Sequence, residues 1–207
     1  MANIYLISPP IIEEKSFAKD LEKALITGLV PVFQLRLKNY PDHKILSIAK
    51  ELKKICDNNN CLFIINDFVE VAISVGASGV HVGTDDLKIS KIRQMVDDSF
   101  VIGASCYNSR DMAMKAGEEG ANYISFGAFF PTSTKIARAT ASIEVLSWAN
   151  EMLNLPIVTI GGINNENAKD LVQNGADFLA VISYIWGNPH GIETALKKLY
   201  DVCNSSK

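Results

Sequence analysis

The sequence predicts a (β/α)8 barrel, and three observations carry that prediction. Short apolar runs alternate with longer segments of helical period along the whole chain, the pattern of strand and helix units around a parallel sheet. Eight runs can be counted, beginning near Asn3, Val32, Leu62, Gly79, Phe100, Asn122, Pro156 and Asp177. A Gly-Ala step recurs before alternate runs, at Gly76-Ala77, Gly120-Ala121 and Gly175-Ala176, and Gly28 holds the same place before the second. Glycine just past a last helical turn takes the positive φ that ends the helix. An open doubly wound sheet is the alternative, but Gly161-Gly162 after the seventh run does not make the GxGxxG of a dinucleotide site. In a barrel the chemistry belongs at the carboxyl ends of the strands, so unusual polar residues should gather where apolar runs stop.

The bulk properties narrow the partners. The 207 residues suit one domain spanning 1–207, with no linker to divide it. With 48% hydrophobic and 21% charged residues and a net charge of -3, the chain has no general attraction for nucleic acid or acidic membrane. An anionic ligand must be held by local positive groups. No basic flank and apolar core mark a secretory signal, and no apolar run approaches the ~20 residues of a membrane helix. Cys56, Cys61, Cys106 and Cys203 show no CxxC or zinc spacing, which predicts reduced thiols in a cytoplasm. Cys106 has no adjoining histidine in sequence to activate it as a nucleophile. A homo-oligomer is compatible with outer helices that can be solvated or paired.

The strand ends, taken in order, supply the candidate site. The second run ends Gln34-Leu35-Arg36-Leu37-Lys38, whose alternation puts Gln34, Arg36 and Lys38 on one side of an extended segment. They offer amide and cationic groups to one anion; solvated charges at a strand end are the alternative. The third run, Leu62 to Ile65, stops at Asn66-Asp67, and a helical segment over 68–75 follows. The fourth, Gly79 to Val82, stops at Gly83-Thr84-Asp85-Asp86. Asp67 and Asp86 therefore emerge at the same end of neighbouring strands, where they can share a divalent cation. Magnesium takes carboxylate oxygens, keeps waters and completes its shell with substrate phosphates, so one or two aspartates suffice. Either aspartate alone also reads as a helix cap.

The fifth run ends in Ser105. The sixth leads into Phe129-Phe130-Pro131-Thr132-Ser133-Thr134-Lys135, where hydroxyls, backbone N–H groups and an ammonium can hold phosphate. The seventh ends at Gly161-Gly162, with Ile163-Asn164 opening a helix, and the eighth ends near Ile182-Ser183. Loops after strands seven and eight frequently form a barrel's phosphate cup. His81, inside an apolar strand, reads as a satisfied core histidine, and His43 and His190 have no evident acidic partner. Phe129-Phe130 either floor the pocket or pack in the core.

The ordered set QLRLK at 34–38, IND at 65–67, GVHVGTDDL at 79–87, IGAS at 102–105, FFPTSTK at 129–135 and IGGI at 160–163 resembles thiamine phosphate synthases, from the first strand to about Ser183. The resemblance implies a (β/α)8-barrel transferase. It would join an aminopyrimidine methyl diphosphate to a thiazole phosphate, with magnesium required, giving thiamine phosphate and pyrophosphate. Carried over by position, it implies that Gln34, Arg36, Lys38 and Asn66 bind the pyrimidine diphosphate and that Asp67 and Asp86 ligate Mg²⁺. Ser105 would contact the pyrimidine and Lys135 the pyrophosphate. Arg36, Lys38, Ser105 and Lys135 form the implied catalytic set. Thr132, Ser133, Thr134, Gly162, Ile182 and Ser183 would hold the thiazole phosphate. Phe68 and Thr84 stand where Arg and Gln are common in the family, and Ala128 where Pro is frequent. Two rivals share the barrel: a thiazole tautomerase-like isomerase, which would need a proton shuttle where Ala128 offers none, and a noncatalytic binder of thiazole or thiamine phosphate.

Overall fold

A computed structural model describes residues 1–132 and 139–204. Eight parallel strands close on themselves in chain order, the first pairing with both the second and the eighth. They are β1 (Asn3–Ile7), β2 (Val32–Leu35), β3 (Leu62–Asn66), β4 (Gly79–Val82), β5 (Val101–Tyr107), β6 (Tyr123–Gly127), β7 (Ile157–Ile160) and β8 (Phe178–Val181). Every strand begins within one residue of the run that predicted it. The connecting helices are α1 (Glu14–Ile26), α2 (Asp42–Asn58), α3 (Val69–Ser74), α4 (Ile89–Arg93), α5 (Arg110–Glu118), α6 (Ile143–Met152) and α7 (Ala168–Gln173). A single turn, α8 (Ser183–Trp186), precedes the last helix, α9 (Ile192–Asn204).

Alternation along each strand divides the apolar residues between two cores. From β1, Ile4 and Leu6 face the helices while Tyr5 and Ile7 face the barrel interior. From β2 and β3, Phe33, Leu35, Phe63 and Ile65 face out, and Val32 and Ile64 face in. The Phe33 and Phe63 rings stack at 6.0 Å between sheet and helices. The helices answer with single apolar stripes. In α1, Phe17, Ala18, Leu21, Ala24 and Leu25 are buried, and the Glu13 carboxylate caps its start by accepting the Ser16 N–H at 2.8 Å. Each large side chain in such a stripe contributes about 1.5–3 kcal/mol through burial. The repeated glycines after α1, α3, α5 and α7 have positive φ, from 63° at Gly76 to 102° at Gly175, as helix ends of this kind require.

One helix begins later than predicted. Ile163-Asn164 does not open α7; Asn164 Oδ1 accepts the N–H groups of Glu166 and Asn167, and Asn167 Oδ1 accepts the N–H of Asn164. These side-chain bonds offer the backbone a turn in place of a helix, and α7 starts at Ala168. Among the described residues no helix is long and apolar enough to cross a membrane.

Candidate active site

The carboxyl ends of the strands surround a cavity of about 210 Å³. Gln34, Arg36 and Lys38 line it from β2, Asn66 and Asp67 from β3, Asp86 from the loop after β4, and Ser105 from β5. Thr132, Gly162, Ile182 and Ser183 line it from the loops after β6, β7 and β8. Ser133, Thr134 and Lys135 lie outside the described residues. All other residues singled out from the sequence as site residues share this one cavity.

The alternation at 34–38 continues past the strand. Leu35 and Leu37 are buried among the helices while Gln34, Arg36 and Lys38 turn inward. Ser8, buried just after β1, holds this extension: its Oγ accepts the Arg36 N–H at 2.9 Å, and its own N–H donates to the Gln34 carbonyl at 2.9 Å. Burial pulls the Arg36 guanidinium down from its ordinary pKa, and the charge of Asp67 opposes that shift. Lys38 Nζ lies 2.8 Å from Asp67 Oδ2.

Asp67 occupies the left-handed region at φ 66°, its N–H donating to the His81 carbonyl at 2.9 Å. Of the three described non-glycine residues with positive φ, Asp67 and Tyr107 both line the cavity, in keeping with the tendency of backbone strain to gather at functional sites. Asp86 closes the β4 loop by accepting the Gly83 N–H on Oδ2 at 2.7 Å. Burial raises the Asp86 pKa; the Gly83 N–H opposes this, and hydrogen bonding and like charge from Asp67 add to it. Asp67 and Asp86 thus face one another across the rim. Among the described residues no cluster of three or more His, Cys, Asp or Glu residues gathers as a metal site.

Asn66 adds a signal of a different kind. Its Nδ2 is buried without a hydrogen-bond partner, a cost of about 1–3 kcal/mol unless a ligand supplies an acceptor. At the opposite side, Gly161 and Gly162 have φ of 106° and 63° and let the β7 loop pack against the β6 loop. A Cβ on Gly162 would sit 2.9 Å from Phe130 Cβ and closer still to the Pro131 carbonyl oxygen. The paired glycines therefore serve the contact between two rim loops.

Sequence reasoning missed several lining residues. Tyr5, Tyr123 and Ser125 point into the cavity from β1 and β6, and Tyr107 joins them from the end of β5. Their inward parity with Gln34 and Ser105 was the available signal. His81 is satisfied, as expected, with Nδ1 2.9 Å from Tyr123 Oη and Nε2 2.9 Å from Ser105 Oγ, but it also lines the cavity. Cys106 is buried on the helix-facing side, and burial pushes its thiol up to about 12, which removes it as a nucleophile at neutral pH.

A closed eight-stranded barrel with a polar cavity at the carboxyl ends of its strands defines a (β/α)8-barrel enzyme. Comparison with known proteins narrows the class. A model of the thiamine monophosphate synthase family matches residues 4–185. A thiamine-phosphate synthase of Rhodospirillum centenum is 45% identical over 193 residues, covering 93% of each chain. One of Pelagibacter ubique is 42% identical over 89% of each. A thiamine phosphate pyrophosphorylase structure from Pyrococcus furiosus superposes with a TM-score of 0.86 at 32% identity, covering 98% of this chain and 96% of that one. The chain belongs to the thiamine monophosphate synthase family.

Proposed function

We propose that the cavity joins an aminopyrimidine methyl diphosphate to a thiazole phosphate, releasing pyrophosphate and forming thiamine phosphate. Family membership sets the reaction class, a transferase of thiamine biosynthesis. The observation that carries the residue-level reading is the meeting of Arg36, Lys38, Asp67 and Asp86 on one rim beside the unpartnered amide of Asn66.

That grouping suits a dissociative substitution, in which the carbon–oxygen bond to pyrophosphate breaks before the thiazole nitrogen forms the new carbon–nitrogen bond. Such a step needs stabilisation of charge on the departing diphosphate more than a proton relay. Arg36 and Lys38 supply fixed positive charge, and Asn66 Nδ2 supplies a directed donor for a diphosphate oxygen. The facing carboxylates of Asp67 and Asp86 fit a hard divalent cation, and they would hold Mg²⁺. When bound, that ion supplies Lewis-acid neutralisation of the diphosphate. Arg36 and Lys38, both close to Asp67, would direct their positive charge to the anionic ligand. The half-buried setting of Arg36 strengthens its electrostatic effect relative to open water. Thr132, Gly162, Ile182 and Ser183 line the cavity from the loops after β6, β7 and β8 and would receive the thiazole phosphate; the family resemblance adds Ser133 and Thr134 to that role and assigns Lys135 to the pyrophosphate. The two groups of residues would hold the reactants in line, which lowers the entropic part of the barrier.

The deciding experiment incubates purified protein with both substrates and Mg²⁺. Thiamine phosphate and pyrophosphate should appear in equal amounts and depend on added metal. Isomerisation of the thiazole alone, or tight binding without product, would refute the synthase reading. We propose further that residues 1–207 form one domain and that the enzyme acts on small molecules in the cytoplasm.

A further inference from the structure

A chain of hydrogen bonds crosses the barrel interior beneath the cavity. Gln34 Nε2 donates to Tyr5 Oη at 2.9 Å, Tyr5 Oη and Tyr123 Oη are 2.7 Å apart, and Tyr123 Oη lies 2.9 Å from His81 Nδ1. His81 Nε2 then reaches Ser105 Oγ at 2.9 Å. The chain begins and ends on residues assigned above to the pyrimidine substrate, yet three of its five members had no part in that assignment. Tyr5, Gln34, Tyr123 and His81 are 3%, 3%, 7% and 8% exposed, so the proton order is set inside the protein and not by bulk water. Gly103 seats the central hydroxyl, since a Cβ there would strike the Tyr123 ring and its oxygen.

Each hydroxyl carries one proton, and when every buried proton is spent within the chain the amide end sets the order. Tyr5 accepts from the Gln34 amide and gives its own proton to Tyr123. Tyr123 gives its proton to His81 Nδ1, which makes the imidazole the Nε2–H tautomer. Nε2–H donates to Ser105 Oγ, and the Ser105 proton is turned away from His81 toward the cavity. The reverse order leaves Tyr5 accepting from both the Gln34 amide and Tyr123 with its own buried proton unspent in the chain, or turns the Gln34 amide oxygen against Tyr5, and it ends with Ser105 spending its proton on His81. Burial raises the pKa of both tyrosines well above the usual range, which keeps both hydroxyls protonated and able to donate.

We propose that Tyr5, Tyr123 and His81 are positioning residues that fix the proton order of this chain, so that Ser105 presents a hydrogen-bond donor to a ring nitrogen of the pyrimidine. The inference rests on the reading of Ser105 as a pyrimidine contact. Tyr5, Tyr123 and His81 act through Ser105 and Gln34, and they set which heteroaromatic edge the cavity accepts.

Two measurements test it. In protein labelled with ¹⁵N-histidine, the His81 signal, identified by its loss in His81→Asn, should show a protonated Nε2 and a bare Nδ1 at neutral pH. An Nδ1–H tautomer or an imidazolium overturns the proposal, whatever the activity. In a kinetic double-mutant cycle, Tyr123→Phe should lower kcat/KM for the pyrimidine diphosphate by about tenfold, the worth of one hydrogen bond. KM for the thiazole phosphate should stay unchanged. In a Ser105→Ala background the same substitution should cost less than about twofold, because its target is gone. An equal loss in both backgrounds marks a merely structural role and overturns the proposal. Undiminished pyrimidine kinetics in Ser105→Ala instead overturns the substrate assignment, and the tautomer measurement separates the two failures.

Discussion

Replacing Asp86 separates its two jobs. Its Oδ2 accepts the Gly83 N–H at 2.7 Å and so holds the β4 loop, and its charge faces Asp67 across the rim. The Asp86→Asn variant keeps an oxygen for the Gly83 N–H and loses only the charge. Alanine loses both. The bond to Gly83 lies in a half-buried turn, and leaving that N–H unpaired costs about 1–2 kcal/mol, or ~2–8 °C in Tm for a chain of this size. Asparagine should leave Tm at or slightly above the parent value, because it removes like-charge contact with Asp67. Losing one preorganised stabiliser of transition-state charge costs about 2.7–4 kcal/mol, on the order of 10²- to 10³-fold in kcat. Both variants should therefore lose turnover equally while only Asp86→Ala melts early. The assay is pyrophosphate release at saturating substrates across a Mg²⁺ titration, alongside thermal melts. Near-parent turnover of Asp86→Asn at ordinary Mg²⁺ would remove Asp86 from the metal role.

Three other outcomes follow from the same geometry. Asn66→Leu should hold or raise Tm, since it deletes a buried donor that has no protein partner, while raising KM for the pyrimidine diphosphate by about tenfold; a clear drop in Tm would show that Nδ2 is satisfied in solution. Gly162→Ala forces a side chain into φ 63° and against Phe130 and Pro131, so denaturant titration should show a loss of about 2–4 kcal/mol, with the thiazole phosphate KM rising; parent-like values in both would sink the loop-contact assignment. The buried thiols of Cys106 and Cys203 are pushed from 9.0 to about 12 and about 11, so the unfolded chain releases these protons first; stability is full below pH 9 and falls as the pH climbs toward 11 to 12, and Tm of Cys106→Ala should decline less steeply over that window.

The barrel was legible because its evidence is local. Eight runs of the right length, glycines at the ends of alternate helices and the parity of Gln34, Arg36 and Lys38 each report on a few consecutive residues, and all recur in the structure. The start of α7 was misread because the apolar period at Ile163 said nothing of the side-chain turn that Asn164 and Asn167 make with the backbone. The roles of Tyr5, Tyr123 and Ser8 were invisible for another reason: an inward tyrosine and an inward valine look alike in a strand pattern until the opposite wall is known.

From the chain alone came the kind of fold, the rim where chemistry sits and most of the polar residues that reach it, since strand parity and element order depend on near neighbours. Which of those residues touch was decided only by closure of the barrel. Closing β1 against β8 brings Tyr5 to Tyr123, 118 positions away, while pairing β4 with β5 sets His81 beside Ser105. Distances across a closed sheet depend on register and curvature summed over every strand, and no stretch of sequence records that sum.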